Sequence, residues 1–155
     1  MPIAGEFNIP KYVYHTSNAW SAALIVHTQI FDKQIQGQYV DLKEPLVIPG
    51  CTPIRPEDVI DPMLDQNDQR YRDWMIQGVE YNYSDGVLMN TWDEFEPLSI
   101  QTLRENEHLR AVSVKMPFYA IGPLTRKPDN IAGDRNAIDR WLDNQPLESV
   151  LYVFW

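Results

Sequence analysis

Three histidines supply the only imidazole groups of this sequence, and imidazole is the side chain best suited to acid–base chemistry near neutral pH. They are His15, His27 and His108. His27 falls in a predicted helix and His108 in a polar loop, and we expect structural roles for both. His15 closes a predicted strand, and the carboxyl ends of strands face the ligand cleft in open α/β sheets. A hydrolase using His15 would also need a nucleophile and an oxyanion site, and the sequence carries no signature of either.

The acidic residues that could bind a metal ion have a simpler interpretation. Asp58, Asp61, Asp65 and Asp68 follow one another closely, but they lack the register and the distal glutamate of a calcium-binding loop. We expect them to solubilise a loop and to cap a helix. The sequence therefore predicts no metal site.

The single cysteine and one glycosylation sequon complete the set of reactive positions. Cys51 has no partner for an internal disulfide and no base near it in sequence, so we expect an inert thiol. Asn82-Tyr83-Ser84 matches the sequon, but residues 1–10 contain no secretory signal. We expect this sequon to remain unmodified.

Composition excludes several classes of partner. The 155 residues carry 13 Lys and Arg against 22 Asp and Glu, a formal net charge of −9. Nucleic-acid binding requires clustered basic residues, and the densest spots, Arg126-Lys127 and Arg70 with Arg72, lie among acids. No apolar run approaches the roughly 18–20 residues of a membrane helix. We expect a cytoplasmic protein with no nucleic-acid or membrane partner, as the lone cysteine also indicates.

Hydrophobic periodicity predicts alternating strands and helices in the first part of the chain. An aromatic-rich strand is predicted over Tyr12–His15, and a helix begins after Ser17 and Asn18, which are good capping residues, and ends near Ile35. Residues 41–68 contain many prolines and are predicted to form an irregular loop beside a cleft. An amphipathic helix follows, with its apolar positions at Tyr71, Trp74, Met75, Gly78 and Val79.

The second part continues the alternation. A buried strand is predicted over 87–91, a helix over 93–104 with Pro97 near its first turn, and a strand over 118–121. Gly and Pro mark a linker over 122–134, and a short helix carrying Trp141 and Leu142 precedes an apolar strand over 149–155. Strands separated by helices imply parallel pairing and an α/β fold. An apolar parallel strand needs neighbours on both edges, so we expect the last strand to belong to a second domain.

Several strings carry a resemblance through their order and spacing. The matching strings are Glu6-Phe7-Asn8-Ile9-Pro10, Ser17-Asn18-Ala19-Trp20, Pro49-Gly50-Cys51, Pro53-Ile54-Arg55-Pro56-Glu57-Asp58, Asp61-Pro62, Asp85-Gly86-Val87-Leu88-Met89-Asn90-Thr91-Trp92, Glu94-Phe95-Glu96-Pro97, Ile121-Gly122-Pro123-Leu124, Trp141-Leu142-Asp143-Asn144-Gln145-Pro146 and Glu148-Ser149-Val150-Leu151-Tyr152-Val153. The chain resembles plant UDP-dependent glycosyltransferases, particularly those that glucosylate small phenolic and monolignol-like compounds.

The resemblance implies a fold of two facing Rossmann-like domains, of the kind called GT-B, in which the first domain binds the acceptor and the second the UDP-sugar. Residues 1–121 correspond to the C-terminal half of the acceptor domain, 122–134 to the interdomain linker, and 135–155 to the helix and first strand leading into the UDP-sugar domain. The expected fold class is therefore α/β, a partial Rossmann-like sheet plus the first strand of the nucleotide domain.

In this family a histidine deprotonates the acceptor hydroxyl, an aspartate steadies its charge, and the hydroxyl attacks the anomeric carbon with inversion. Both residues belong upstream of the matched stretch, so we expect no catalytic residue here. After Val153 the family reads Ser-Phe-Gly-Ser, whereas this chain reads Phe154-Trp155, and the signature that binds UDP is absent. No cofactor is expected, because the UDP-sugar is a co-substrate of the family.

The resemblance also implies acceptor-lining residues. On the first helix they are Trp20, Leu24 and Ile25, and in the irregular loop the weaker candidates are Asp61, Pro62 and Met63. Part of this apolar stripe on the first helix is alternatively expected to belong to the hydrophobic core. For Leu24 both interpretations, acceptor lining and core packing, remain open. We expect a fragment of a transferase acting on a small phenolic acceptor, without turnover of its own. The alternative is a non-catalytic ligand-binding or interaction remnant that pairs with a full-length homologue.

Overall fold

The computed structural model describes residues 4, 6–105, 107, 116–124 and 137–151. Residues 1–124 form one compact unit and residues 125–155 a second. His108, the predicted cap Asp134 and most of the predicted linker lie outside the described residues.

A parallel sheet organises the first unit. Its strands are β1 (Tyr12–His15), β2 (Gly86–Met89) and β3 (Phe118–Ala120), in the order β1-β2-β3. Tyr12 lies opposite Gly86, and Val87 lies opposite Phe118. Both pairings are parallel, which confirms the predicted α/β fold.

In the described part of this unit, three helices with defined bounds connect and cover these strands. They are α1 (Ala19–Gln34), α2 (Gln69–Asn82) and α3 (Pro97–Glu105), and α1 packs against both α2 and α3. The Asn18 side chain caps α1 by accepting a hydrogen bond from the Ser21 amide at 3.0 Å. The predicted start of α1 is therefore confirmed. β2 ends at Met89 rather than at residue 91, and α3 starts at Pro97 because residues 93–95 form a separate turn.

The contact between α1 and α2 depends on a small residue. A Cβ atom at Gly78 would lie 2.5 Å from the Gln29 side-chain nitrogen and 3.0 Å from the Ile25 carbonyl oxygen, so a larger residue would require Gln29 and α1 to shift. Val79, predicted on the apolar stripe, is 40% exposed, whereas Tyr81 is buried. The buried face of α2 therefore rotates toward Tyr81 at its end, which corrects the predicted stripe.

The predicted irregular segment is confirmed over residues 41–68. It contains the short 3₁₀ turns Pro56–Asp58 and Asp61–Met63 and one antiparallel bridge between Leu46 and Ile54. Apolar side chains of this loop join the core: Leu46, Ile48, Ile54, Val59 and Met63. The loop is thus anchored by burial rather than by regular hydrogen bonding.

The two faces of the sheet differ in character. Alternate residues of the strands point to opposite faces, and the face toward the helices carries the buried Val87, Met89 and Phe118. The other face carries Tyr12 and Tyr119, whose rings lie 6.5 Å apart, together with Tyr14. These three tyrosines, called here the tyrosine face, are 42–51% exposed.

The second unit contains the helix α4 (Ala137–Asp143), which confirms the predicted helix around Trp141 and Leu142. Residues 149–151, where a strand was predicted to begin, carry no regular secondary structure, and residues 152–155 lie outside the described part. Among the helices that the structure describes, none is both long and apolar enough to cross a membrane.

Candidate functional site

The carboxyl ends of the strands meet at one edge of the first unit. The Ile121 amide donates to the Met89 carbonyl oxygen at 3.0 Å and the Gly122 amide to that of Thr91 at 2.7 Å, which ties the end of β3 to the end of β2. The end of β1 leads directly into α1 at Ala19. Ligands of open α/β sheets bind at this edge.

Two open cavities lie beside the start of α1. One has a volume of about 300 Å³, and its walls are Trp20, Gly50, Thr52, Phe95, Glu96, Pro97, Leu98 and Ser99. The other has about 390 Å³, with walls from Trp20, Thr52, Pro53, Ile54 and Asp58. Trp20 and Thr52 border both cavities. These volumes fall at the lower end of the range for small-molecule pockets, about 300–1,000 Å³.

Trp20 stands between the cavities because it lies in the first turn of α1. Its indole nitrogen donates to the carbonyl oxygen of Thr52 at 3.4 Å, which joins the helix to the irregular loop. The ring therefore offers an apolar surface to both cavities while its polar atom is occupied, as in aromatic side chains that line ligand sites.

Glu96 connects the end of β2 to the start of α1. Its Oε2 atom accepts the Ala19 amide at 2.9 Å and the Thr91 hydroxyl at 2.6 Å, and its Oε1 atom accepts the Trp20 amide at 3.1 Å. A carboxylate at this place is favourable because the first amides of a helix lack partners and carry partial positive charge. The same carboxylate forms part of the wall of the smaller cavity.

A stacked aromatic pair lies on the same loop. The rings of Trp92 and Phe95 are 4.5 Å apart with an angle of 23° between their planes, and they are 37% and 60% exposed, respectively. Phe95 lines the smaller cavity with Trp20. Two aromatic side chains, Trp20 and Phe95, thus line the smaller cavity, which suits a flat apolar ligand.

His15, the histidine that the sequence places at this edge, has both ring nitrogens in hydrogen bonds. Nε2 lies 2.6 Å from the Ser21 hydroxyl and Nδ1 lies 2.7 Å from the Tyr81 hydroxyl. Ser21 Oγ donates to the Asn18 carbonyl oxygen at 3.1 Å, so Nε2 carries the hydrogen and Nδ1 accepts from Tyr81. Burial lowers the pKa of His15, while the Asn18 carbonyl and the charge of Glu96 act in the opposite direction. These contacts are those of a structural histidine.

The other acceptor-lining residues predicted on α1 are core residues in this structure. Leu24 and Ile25 are 1% and 2% exposed, and neither lines the two cavities. In the loop, Met63 is fully buried, Pro62 is partly buried and Asp61 is exposed. Trp20 alone of the six predicted residues borders the cavities. The assignment of the other five to an acceptor pocket stays a prediction.

The thiol of Cys51 is held in a small hydrogen-bond chain. Its sulfur donates to the Ser99 hydroxyl at 3.5 Å, and that hydroxyl donates to the Gly50 carbonyl oxygen at 3.1 Å. Burial raises the pKa of this thiol. The thiolate is therefore disfavoured at neutral pH, in line with the inert thiol expected from the sequence.

The charged groups on the cavity walls are two carboxylates. Glu96 already accepts three hydrogen bonds, and Asp58 accepts from the Arg55 guanidinium at 2.6 Å. In the described part of the chain no histidine lines either cavity and no cluster of His, Cys, Asp and Glu could hold a metal ion. The walls of the two cavities thus combine aromatic and apolar surface with two carboxylates that already accept hydrogen bonds.

Parallel strands, helices packed on one face and a cavity at the carboxyl edge define part of a Rossmann-like ligand-binding domain. Solved plant glycosyltransferases share this fold. A structure of TcCGT1 with UDP matches 94% of this chain at 44% identity and a TM-score of 0.82, over 30% of its own length. Phytolacca americana UGT2, solved with UDP-2-fluoro-glucose and pterostilbene, matches 93% of the chain at 33% identity and a TM-score of 0.77, over 30% of its own length.

Sequence comparison gives the same relationship. Anthocyanidin 3-O-glucosyltransferase 5 of Manihot esculenta is 45% identical over 153 residues, which is 99% of this chain and 31% of that protein. UDP-glycosyltransferase 72D1 of Arabidopsis thaliana is 43% identical over 143 residues, 92% of this chain and 30% of that protein. No family model matches the sequence. The chain is similar over nearly its whole length to plant UDP-glycosyltransferases, and it spans about a third of the length of the relatives it matches.

Three features of the site were not predicted from the sequence. The cavity walls formed by Thr52 and Phe95 and the carboxylate of Glu96 bring together residues from separate segments. The string Glu94-Phe95-Glu96-Pro97 contributes to the resemblance, but nothing local indicates that Glu96 faces α1. Pro97 is the one residue whose type could have indicated this position, because α3 starts there and Glu96 therefore lies outside the helix.

Proposed function

We propose that this chain supplies acceptor-side residues of a UDP-glycosyltransferase that transfers glucose or a similar sugar from a UDP-sugar to the hydroxyl of a small phenolic compound. The observation that carries the proposal is the indole of Trp20 between two cavities at the carboxyl edge of the sheet. The names of the relatives support the acceptor class, because one is an anthocyanidin glucosyltransferase and one was solved with pterostilbene.

The chemistry of the cavity walls suits a phenolic ring. Phe95, Pro97 and Leu98 provide apolar surface to the smaller cavity, and Glu96, Ser99 and Thr52 provide oxygen atoms. Such a mixture of apolar walls and a few polar groups orients small aromatic ligands. The co-substrate is the UDP-sugar, and no further cofactor enters the proposal.

We propose that the chain by itself does not turn over. A general base typically contributes about 10²–10⁴-fold to the rate, and in the described part no histidine reaches the cavities. His15 donates to Ser21 and accepts from Tyr81, so its ring nitrogens are both engaged. Binding of an acceptor is thus the activity expected of this segment.

The test is a titration of the purified chain with pterostilbene, followed by NMR, beside an assay of UDP release with UDP-glucose as donor. We expect saturable binding, at least 10-fold weaker binding by Trp20→Ala, and no UDP release. Trp141→Ala is the matched control, because Trp141 is 56% exposed in the second unit. Binding unchanged by Trp20→Ala, or saturable turnover by the isolated chain, would overturn the proposal.

A second candidate function is non-catalytic pairing with a full-length homologue. The tyrosine face favours it, because parallel sheets normally have both faces covered and Tyr12, Tyr14 and Tyr119 are about half exposed. Co-expression of the tagged chain with the full-length Manihot relative tests this candidate. Co-purification that Tyr14→Glu abolishes supports pairing, and separate elution of the two folded proteins contradicts it.

We also propose a cytoplasmic location. The support is the single cysteine in 155 residues, which cannot form an internal disulfide and suits a reducing compartment. Imaging of a fluorescent fusion in plant cells tests this, and accumulation in the secretory pathway would contradict it.

A further inference from the structure

The start of α1 is held from two directions. The first amides of an α-helix have no partner within the helix. The Asn18 side chain accepts from the Ser21 amide, and Glu96 accepts from the amides of Ala19 and Trp20. The local cap Asn18 therefore provides an acceptor for the Ser21 amide. The two preceding amides have their acceptor in Glu96, more than seventy positions away in the sequence.

The carboxylate of Glu96 is itself fixed by the segment that follows β2. The hydroxyl of Thr91, a residue only 1% exposed, donates to Oε2 of Glu96 at 2.6 Å. Thr91 also accepts the Gly122 amide through its carbonyl oxygen at 2.7 Å. Glu96 thus joins the ends of β2 and β3 to the first turn of α1.

Trp20 is the residue on which these contacts converge. Its backbone amide donates to Glu96 and its indole nitrogen donates to the Thr52 carbonyl oxygen. The ring borders both cavities, so a rotation of the first turn of α1 would change the shape of both.

We propose that Glu96 is a positioning residue of the acceptor site, which fixes the backbone of Trp20 and thereby holds the indole between the two cavities. The inference deepens the proposed acceptor-binding function and rests on it for its effect on affinity. The effect on the geometry of Trp20 follows from the hydrogen bonds alone.

Substitution by glutamine isolates this role. A carboxamide has one acceptor oxygen where the carboxylate has two, so Glu96→Gln leaves the amide of either Ala19 or Trp20 without an acceptor. Glu96→Ala removes all three hydrogen bonds. Glu94 lies on the same loop, is exposed and makes none of these contacts, so Glu94→Gln and Glu94→Ala are matched controls.

The experiment uses the full chain labelled with ¹⁵N. The indole N–H resonance of Trp20 is identified by its loss in Trp20→Phe, and amide hydrogen exchange is measured at Ala19 and Trp20. We expect Glu96→Gln to shift the indole resonance, to speed exchange of one of these amides at least 10-fold, and to weaken pterostilbene binding about 3- to 10-fold. Glu96→Ala should weaken binding more than 10-fold, and both Glu94 variants should match the original chain.

The readouts separate the possible failures. If the original chain does not bind pterostilbene, the proposed acceptor function is contradicted, while the indole resonance and the amide exchange still test the role of Glu96. If Glu96→Gln leaves the Trp20 indole resonance and the affinity of the folded fraction unchanged, Glu96 is only a helix cap and the inference is wrong. If Glu96→Ala does not fold, Glu96→Gln alone gives the result.

Discussion

The hydrogen bonds of His15 determine how this residue titrates. Nδ1 accepts from Tyr81 and Nε2 donates to Ser21, so the neutral ring satisfies both partners. A protonated ring would donate from both nitrogens and would force the Tyr81 hydroxyl to reverse its role. Burial lowers the pKa of His15 from its ordinary value of 6.5, and burial also raises the pKa of Tyr81, which keeps that hydroxyl protonated.

We predict that this network makes the free energy of unfolding fall in mild acid. The unfolded chain takes up a proton near pH 6.5 and the folded chain only at a lower pH, so stability decreases as the pH falls from about 6.5 through the lowered pKa. Urea unfolding at pH 7.5, 6.5 and 5.5 measures the slope of the free energy of unfolding against pH. The slope should be smaller for His15→Gln than for the original chain. Equal slopes would show that His15 does not titrate differently in the two states.

A second chain of polar side chains leads from the core to the surface. The Tyr39 hydroxyl lies 2.9 Å from the Tyr71 hydroxyl, which in turn donates to Asp32 at 2.7 Å, so Tyr39 is the donor to Tyr71. Tyr39 is fully buried, and the chain joins the segment after α1 to both α1 and α2.

We predict that Tyr39→Phe lowers the free energy of unfolding by about 1 kcal/mol, the usual net value of one buried hydrogen bond. Tyr71→Phe should lower the free energy of unfolding further, because it breaks both hydrogen bonds. Tyr83→Phe is the control, since Tyr83 is 67% exposed, and it should stay within about 0.5 kcal/mol. Urea unfolding at neutral pH gives the three values, and the reverse order would contradict the network.

For single residues, the sequence indicates positions in the fold but not hydrogen-bond partners. His15 was placed correctly at the end of β1, yet Tyr81 lies 66 residues away and could not be named. Glu96 was missed for the same reason, because the amides it accepts belong to residues 77 and 76 positions earlier. Such contacts depend on how α1 and the loop after β2 meet in space.

Among the helices and strands, local signals were sufficient for β1 and for the start of α1, whereas Pro97 did not lead to the correct start of α3. Asn18 fixes the start of α1, and β1 was predicted with its observed bounds Tyr12–His15. The stripe of α2 failed at Val79 because tertiary packing brings Tyr81 into the core instead. Hydrophobic periodicity predicts the average direction of the buried face of α2. Packing against the neighbouring α1 determines which residues at the end of that face are buried.

Gly50 gives a prediction for the irregular segment. Its φ of +69° lies in the left-handed region, and an added Cβ would lie 2.2 Å from the Thr102 hydroxyl oxygen and 2.5 Å from the Leu98 carbonyl oxygen. We expect Gly50→Ala to cost about 2–4 kcal/mol, the sum of backbone strain and overpacking. Gly37 is the matched control, because its φ is +94° but nothing lies within 4 Å of an added Cβ.

Gly37→Ala should therefore lower the free energy of unfolding by the backbone strain alone, about 1–2 kcal/mol. Thermal and urea unfolding of the two variants measure the difference. Since Gly50 also lines the smaller cavity, Gly50→Ala should additionally weaken pterostilbene binding, and Gly37→Ala should not. Equal losses of stability in the two variants would show that the loop moves away from α3 freely.

The handedness of the connections between the strands explains why the described helices leave the tyrosine face of the sheet uncovered. Crossovers between parallel strands are right-handed, and both steps, from β1 to β2 and from β2 to β3, proceed in the same direction across the sheet. The connecting helices therefore lie on the same face, where α1 contacts both α2 and α3. The sequence predicted parallel pairing, but not the strand order on which this result depends.

The open face predicts association in solution. Parallel sheets normally have both faces covered, and exposed aromatic residues favour interfaces, so we expect the isolated chain to self-associate as its concentration rises. Tyr14→Lys and Tyr119→Lys should each shift the molecule toward monomer at equal concentration, as measured by analytical ultracentrifugation. Val79→Lys adds the same charge at a 40% exposed position on α2 and serves as the control. If association is unchanged by both tyrosine variants but lost with Val79→Lys, the contact lies on the helical layer. Chains that stay monomeric at every concentration would instead show that three half-exposed tyrosines are too small an apolar surface to bring two copies together.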